Sequence, residues 1–174
     1  MEETIKTEQP TVMSVGLKYG LILGLASIAV NIIFFAIGMN PFEGGWKGWI
    51  GTVLAIGMIV LAHKNFKDSG SGFMTYGQGL GLSMIIFLVS MVLGGIFSYV
   101  YLNFIDPTAF EAIWEKAAAD MEAKGQSEDQ IELGLSWGRK LFWVFFIVGS
   151  LFMGLIVGLI VSIFTQKKPP ETMF

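Results

Sequence analysis

The chain holds a single histidine, His63, and no cysteine. One imidazole cannot build a multi-histidine zinc site. Without cysteine there is no disulfide, thiol redox chemistry, iron–sulfur cluster or thiolate zinc site. His63 follows an apolar run and precedes Lys64, so its expected role is interfacial, at the C-terminal end of a helix. The acidic stretch 106–139 lacks the D-x-D-x-D-G spacing of a calcium loop and reads as a solvated charged face. Gly77, Gly79 and Gly81 alternate with other residues, but no Lys-Ser/Thr pair follows and no strand precedes, so this is no nucleotide loop. The sequence therefore names no catalytic, cofactor-binding or metal-binding residue. The expectation is a protein that is not an enzyme and carries no cofactor.

Weaker chemistry lies inside the apolar runs. Asn31 and Gln78 are amides there, joined by Thr52, Ser83, Ser90, Ser98 and Ser150. Such groups usually hydrogen-bond between helices, at about 0.6 kcal/mol each. Asn31 is the deepest and the best candidate to touch a ligand or pore. Glycines recur four apart at Gly16, Gly20 and Gly24, and again at Gly154 and Gly158. This small-xxx-small spacing lets helix backbones approach closely. Contact within one bundle is the plainer reading, and pairing of two copies the sharper one.

The elements that carry these residues follow from where charge is missing. Hydrophobic residues make up 53% of the 174 and charged residues 14%, with a net charge of -3. Mean hydropathy is +0.65. A soluble domain averages about 25% charged residues, so the lipid bilayer is the expected solvent. With no basic stripe, nucleic acid is not an expected partner. Uncharged runs of about 20 residues are long enough to cross hydrocarbon as helices. They place four spans near 15–39, 46–63, 75–104 and 141–165, in one all-α membrane domain over 1–174. The first span is expected to be retained, because the acidic start does not read as a signal peptide. Pro41 should stop it. The second is the shortest. Trp46 and Trp49 suit an interfacial aromatic belt, and Lys47 can snorkel to lengthen it. The third exceeds the hydrocarbon thickness and should tilt or project.

Between spans three and four lies an extramembrane helical loop, 106–139. Asp106–Pro107 is a helix start, and Phe110, Ile113, Trp114, Ala117, Ala118 and Met121 recur on one face. Gly125 ends this amphipathic helix. Ser127 and Gln130 form a capping box for another, which nothing strong interrupts before the last span. The acidic polar face would be repelled by anionic lipid, so docking onto protein is expected. Four crossings put both termini on one side with Lys6, Lys18, Lys64, Lys67, Lys167 and Lys168, against Lys47, Lys116, Lys124, Arg139 and Lys140. By the positive-inside rule the termini are expected to be cytoplasmic, in a bacterial inner membrane.

Several segments together resemble a known family. Residues 17–24 (Leu-Lys-Tyr-Gly-Leu-Ile-Leu-Gly), 72–79 (Gly-Phe-Met-Thr-Tyr-Gly-Gln-Gly), 101–107 (Tyr-Leu-Asn-Phe-Ile-Asp-Pro) and the Ser-Glu-Asp-Gln-Ile-Glu restart at 127–132 are similar to DUF4199, a bacterial four-span membrane family of unknown function. The resemblance covers nearly the whole chain. It implies four helices and a bacterial membrane, and it brings no activity or site residues. The leading expectation is a structural, accessory or interaction protein that assembles with itself or a membrane partner through its glycine faces. The alternative is an oligomeric transporter or channel for a small neutral solute. No ionisable side chain is expected at depth, which argues against ion coupling.

Overall fold

The computed structural model describes residues 9–43 and 45–169; Lys6 and Pro170 lie outside them. Five α-helices form: α1 Val12–Ala36, α2 Trp46–Asp68, α3 Tyr76–Val100, α4 Pro107–Ala123 and α5 Glu128–Thr165. A π-helical turn, Tyr101–Ile105, extends α3. Four of the helices, α3 with its π turn included, are long and apolar enough to cross a membrane. The chain is an all-α, multi-pass membrane bundle.

The helix ends follow local chemistry. Thr11, Thr75 and Ser127 each cap a helix in a reciprocal box with the residue three positions on, satisfying backbone N–H groups that have no helical partner. The first helix ends at Ala36, three residues before the expected Met39. Gly38, not Pro41, stops it. Gly38 takes φ +75, and the Met39 and Gly38 amides close back onto Phe34 and Phe35 at 2.8 and 3.0 Å, a Schellman end. The second helix runs five residues beyond the expected 63, through His63, Lys64 and Lys67. At about 1.5 Å per residue it spans about 35 Å, long enough to cross a membrane. The charged side chains that suggested an end occupy its last turns.

Contacts at the two ends fix the topology. At one end Asn40 Nδ2 donates to the Ala109 carbonyl at 2.6 Å, pinning the α1–α2 connection to α4. At the other, Met74 and Lys167 exchange two backbone hydrogen bonds of 2.9 Å, and Pro10 packs near Gly70. The described ends of the chain therefore share one end of the bundle.

Helix α3 is central. It packs along α1 on one side and α5 on the other, while α2 touches all three. The outer faces stay apolar: Leu25, Val53, Ile96, Phe152 and Phe164 are exposed. Helices apolar all round suit lipid rather than water.

The last helix has no break between its capping box and span four, so it is one rod of 38 residues. Its first turns project from the bundle, and α4 folds back on them. Trp114 and Met121 cover Gly138 and Gly134, where a β-carbon would lie 2.8 and 2.7 Å from them. Phe110 meets Phe142 edge-on at 5.2 Å. The amphipathic stripe thus docks on protein. Glu111 and Arg139 add a bidentate ion pair, N–O 2.7 and 2.8 Å. That hydrogen-bonded guanidinium holds the Glu111 carboxyl below its ordinary value. The pair's contribution is present above the ordinary carboxylate range and is lost as pH falls through the depressed value. Both groups are largely exposed, so it is worth at most about 1 kcal/mol.

Candidate functional site

Two polar features stand out in this apolar bundle. The first is a clasp at the end shared by the chain's two ends. His63 is fully buried, five residues inside α2. Its Nδ1 lies 2.7 Å from Thr165 Oγ1 on α5. Its Nε2 lies 3.0 Å from the Gly79 carbonyl and 3.1 Å from Ser83 Oγ, both on α3. One neutral tautomer satisfies the ring: Nε2–H donates to α3 while Nδ1 accepts from Thr165. Lys67 then donates to the Thr165 carbonyl at 2.8 Å, closing the end of α5. The close approach needs Gly79, where a β-carbon would sit 3.0 Å from Ser162 Oγ and 3.1 Å from Met74 Cε.

The interfacial role expected for His63 is therefore corrected. The ring ties three helices together below the surface. A signal for this exists in the sequence. Ala55, Ile59, Ala62, His63 and Phe66 form one buried helical face of α2, and His63 stands one turn beyond Ile59 on it. Reading His63 as the edge of a span, because Lys64 follows, hid that position.

The second feature is a cavity of about 510 Å³ between α1, α2, α3 and α5. Phe87, Met91, Phe146 and Met153 supply apolar walls, and Asn31, Thr52, Ser90, Ser98 and Ser150 supply polar ones. A smaller void of about 190 Å³ adjoins it, sharing Ser27 and Asn31 and bordered by Lys47. The floor lies near Ala55 and Val157. Beyond it Ile59, Leu82 and Ile86 are fully buried, and they separate the cavity from His63. From Ala55 to His63 is about 12 Å along α2. The cavity is thus closed toward the clasp. Small residues make the room: Gly48 and Gly51 on α2 and Gly94 on α3 line it, and a β-carbon on any of these would meet nothing within 4 Å.

The lining hydroxyls do not bridge helices, as the sequence suggested. Thr52 donates to Gly48, Ser90 to Phe87, Ser98 to Gly94 and Ser150 to Phe146, each inside its own helix. A hydroxyl three or four residues past a helical carbonyl finds that acceptor first. Among these seven polar side chains only Ser83 joins helices, through His63.

Gln78 stands in the first turn of α3. It is exposed, and its Oε1 accepts from the Thr75 N–H at 2.8 Å as half of a helix cap. Asn31 does face the cavity. Both glycine ladders face α3. A β-carbon on Gly16, Gly20 or Gly24 would lie 2.6, 2.7 or 2.8 Å from Ile85, Val89 or Leu93, and one on Gly154 or Gly158 would lie 2.6 or 3.0 Å from Phe87 or Ser83. Those are contacts inside one bundle. Among the described residues no group of three or more His, Asp or Glu could hold a metal ion.

No curated protein and no solved structure matches the chain. A family model described as a protein of unknown function, DUF4199, matches residues 18–167, which takes in all four spans but the opening turns of α1, and both polar features. The chain belongs to the DUF4199 family of proteins of unknown function.

Proposed function

We propose that this protein is a non-enzymatic carrier that binds a small neutral solute in the cavity between its four spans. The cavity carries this reading: it is largely apolar with a few placed polar groups, the usual make-up of a small-molecule site. No Asp, Glu, Lys, Arg or His lines its main volume, which suits a neutral solute. The glycine ladders, on which an assembly role rested, are occupied by α3. In proteoliposomes the protein is expected to accelerate efflux of at least one member of a panel of neutral solutes. Ser150→Leu, which fills the cavity, should cut that efflux about tenfold while the variant keeps its melting temperature. Efflux unchanged by Ser150→Leu would overturn the assignment.

An accessory role is the second reading, and one observation favours it. Leu133 and Trp137 stand one turn apart on the projecting part of α5, 61% and 56% exposed. A membrane partner, or a second copy, could cover them.

We infer further that the membrane is a bacterial inner membrane and that the shared end of the bundle is cytoplasmic. The lysine margin at that end supports this. The chain has no cysteine, so single cysteines report cleanly. Gln126→Cys should react with a membrane-impermeant maleimide on intact spheroplasts, and Ser71→Cys only after lysis. The reverse pattern would invert the orientation.

A further inference from the structure

The hydrogen-bond inventory of the cavity says which kind of solute fits, given the carrier reading above. Each hydroxyl of Thr52, Ser90, Ser98 and Ser150 spends its single proton on a carbonyl of its own helix, at 2.6–3.3 Å. A hydroxyl that donates elsewhere keeps only its oxygen lone pairs. The α2, α3 and α5 walls therefore offer acceptors. On α1 the balance differs. Ser27 and Asn31 make no side-chain hydrogen bond among the described residues, so the Asn31 amide can donate as well as accept. The site is two-sided, with acceptors on three helices facing a donor on the fourth.

A solute with acceptors only would leave the three hydroxyl walls without a donor. An anion meets the same oxygens and gains nothing from them. A cation finds no carboxylate in the lining. A group that donates and accepts at one atom answers both sides. The apolar walls, Phe87, Met91, Phe146 and Met153, call for a hydrocarbon body attached to it.

We propose that the cavity is a site for a neutral alcohol, a hydroxyl on a hydrocarbon body. Its O–H donates to serine oxygens of α3 and α5, and its oxygen accepts from Asn31. A free alcohol and a hydroxyl-headed lipid share this chemistry.

The test uses the full-length protein in detergent, with methionine methyl groups carrying 13C. Met91 and Met153 line the cavity and report occupancy directly, once assigned by Met→Leu variants. Octan-1-ol, octan-2-one and octane are titrated in turn. Octan-1-ol is expected to bind about fivefold more tightly than octan-2-one, the value of roughly one net hydrogen bond. Replacing Ser90, Ser98 and Ser150 together by alanine should level the two, because the serine acceptors of α3 and α5 are gone while the volume remains. Equal binding of alcohol, ketone and alkane to the unaltered protein would overturn the alcohol assignment and leave the cavity reading standing. Failure of all three to shift Met91 and Met153 would overturn both. A dioleoylglycerol arm separates the sources: competition with octan-1-ol supports an alcohol drawn from the bilayer, and its absence beside octan-1-ol binding supports a free one.

Discussion

His63→Ala is expected to lower the stability of the detergent-solubilised protein by about 3 kcal/mol, the larger part from lost packing. Two effects compete at this position. The imidazole fills space among α2, α3 and α5, and it also hydrogen-bonds to Thr165, Gly79 and Ser83. Polar bonds between membrane helices are worth about 0.6 kcal/mol on average, so two of them supply about 1 kcal/mol. The rest comes from the void. The partners soften the polar loss further. Without the ring, Ser83 still donates to Gly79 and the Thr165 hydroxyl turns its proton to the Val161 carbonyl, so no hydroxyl proton is stranded. His63→Leu keeps most of the volume and should cost about 1 kcal/mol, with His63→Gln between Leu and the native protein. Melting followed by size-exclusion recovery, or SDS titration, gives the order. If Leu costs as much as Ala, hydrogen bonds rather than packing hold the clasp. If both are neutral, the clasp contributes nothing to stability.

The same residue shows what the sequence could and could not tell. Spans were legible wherever charge was absent, because an ionic group in hydrocarbon is costly. That logic places a helix end at the first polar side chain, and there it failed: α2 carries His63, Lys64 and Lys67 within the helix. The imidazole is tolerated because three helices enclose it, which is a property of packing rather than of local composition. Gln78 was read by its uncharged neighbours alone, but Thr75 three residues earlier is a capping partner, and that pattern was readable. The continuity of α5 was legible from the lack of a breaker after Ser127. The glycine spacing told of close packing but not of the partner, which the register with Ile85, Val89 and Leu93 supplies. The cavity was least legible of all. It exists because Gly48, Gly51 and Gly94 leave room among four helices, and no single segment encodes such a gap.

Gly20→Leu is expected to abolish recovery of folded protein, and Gly20→Ala to cost about 2 kcal/mol. The β-carbon would stand 2.7 Å from Val89 Cβ and 3.1 Å from the Ile86 carbonyl oxygen. Neither atom is the far end of a flexible chain. The Val89 β-carbon is fixed to its backbone, and the Ile86 oxygen is backbone, so α1 and α3 must separate to admit even one methyl. Their contact is the most extensive between helices in the bundle, and separation there loosens every dispersion contact along it. Val89→Ala does not remove the offending atom, so it should rescue Gly20→Ala only partly, and Val89→Gly should rescue it more. The control is Gly57→Ala, at an exposed helix position where a β-carbon meets nothing within 4 Å; there the change should be neutral or stabilising by up to about 1 kcal/mol. The measurement also decides between the two meanings of the glycine ladder. If Gly20 packs on α3 of its own chain, Gly20→Ala lowers the melting temperature at every protein concentration and leaves the mass in detergent unchanged. If the variant instead keeps its melting temperature and loses mass from dimer to monomer, the ladder joins two copies, and the packing of α1 on α3 is not what it serves.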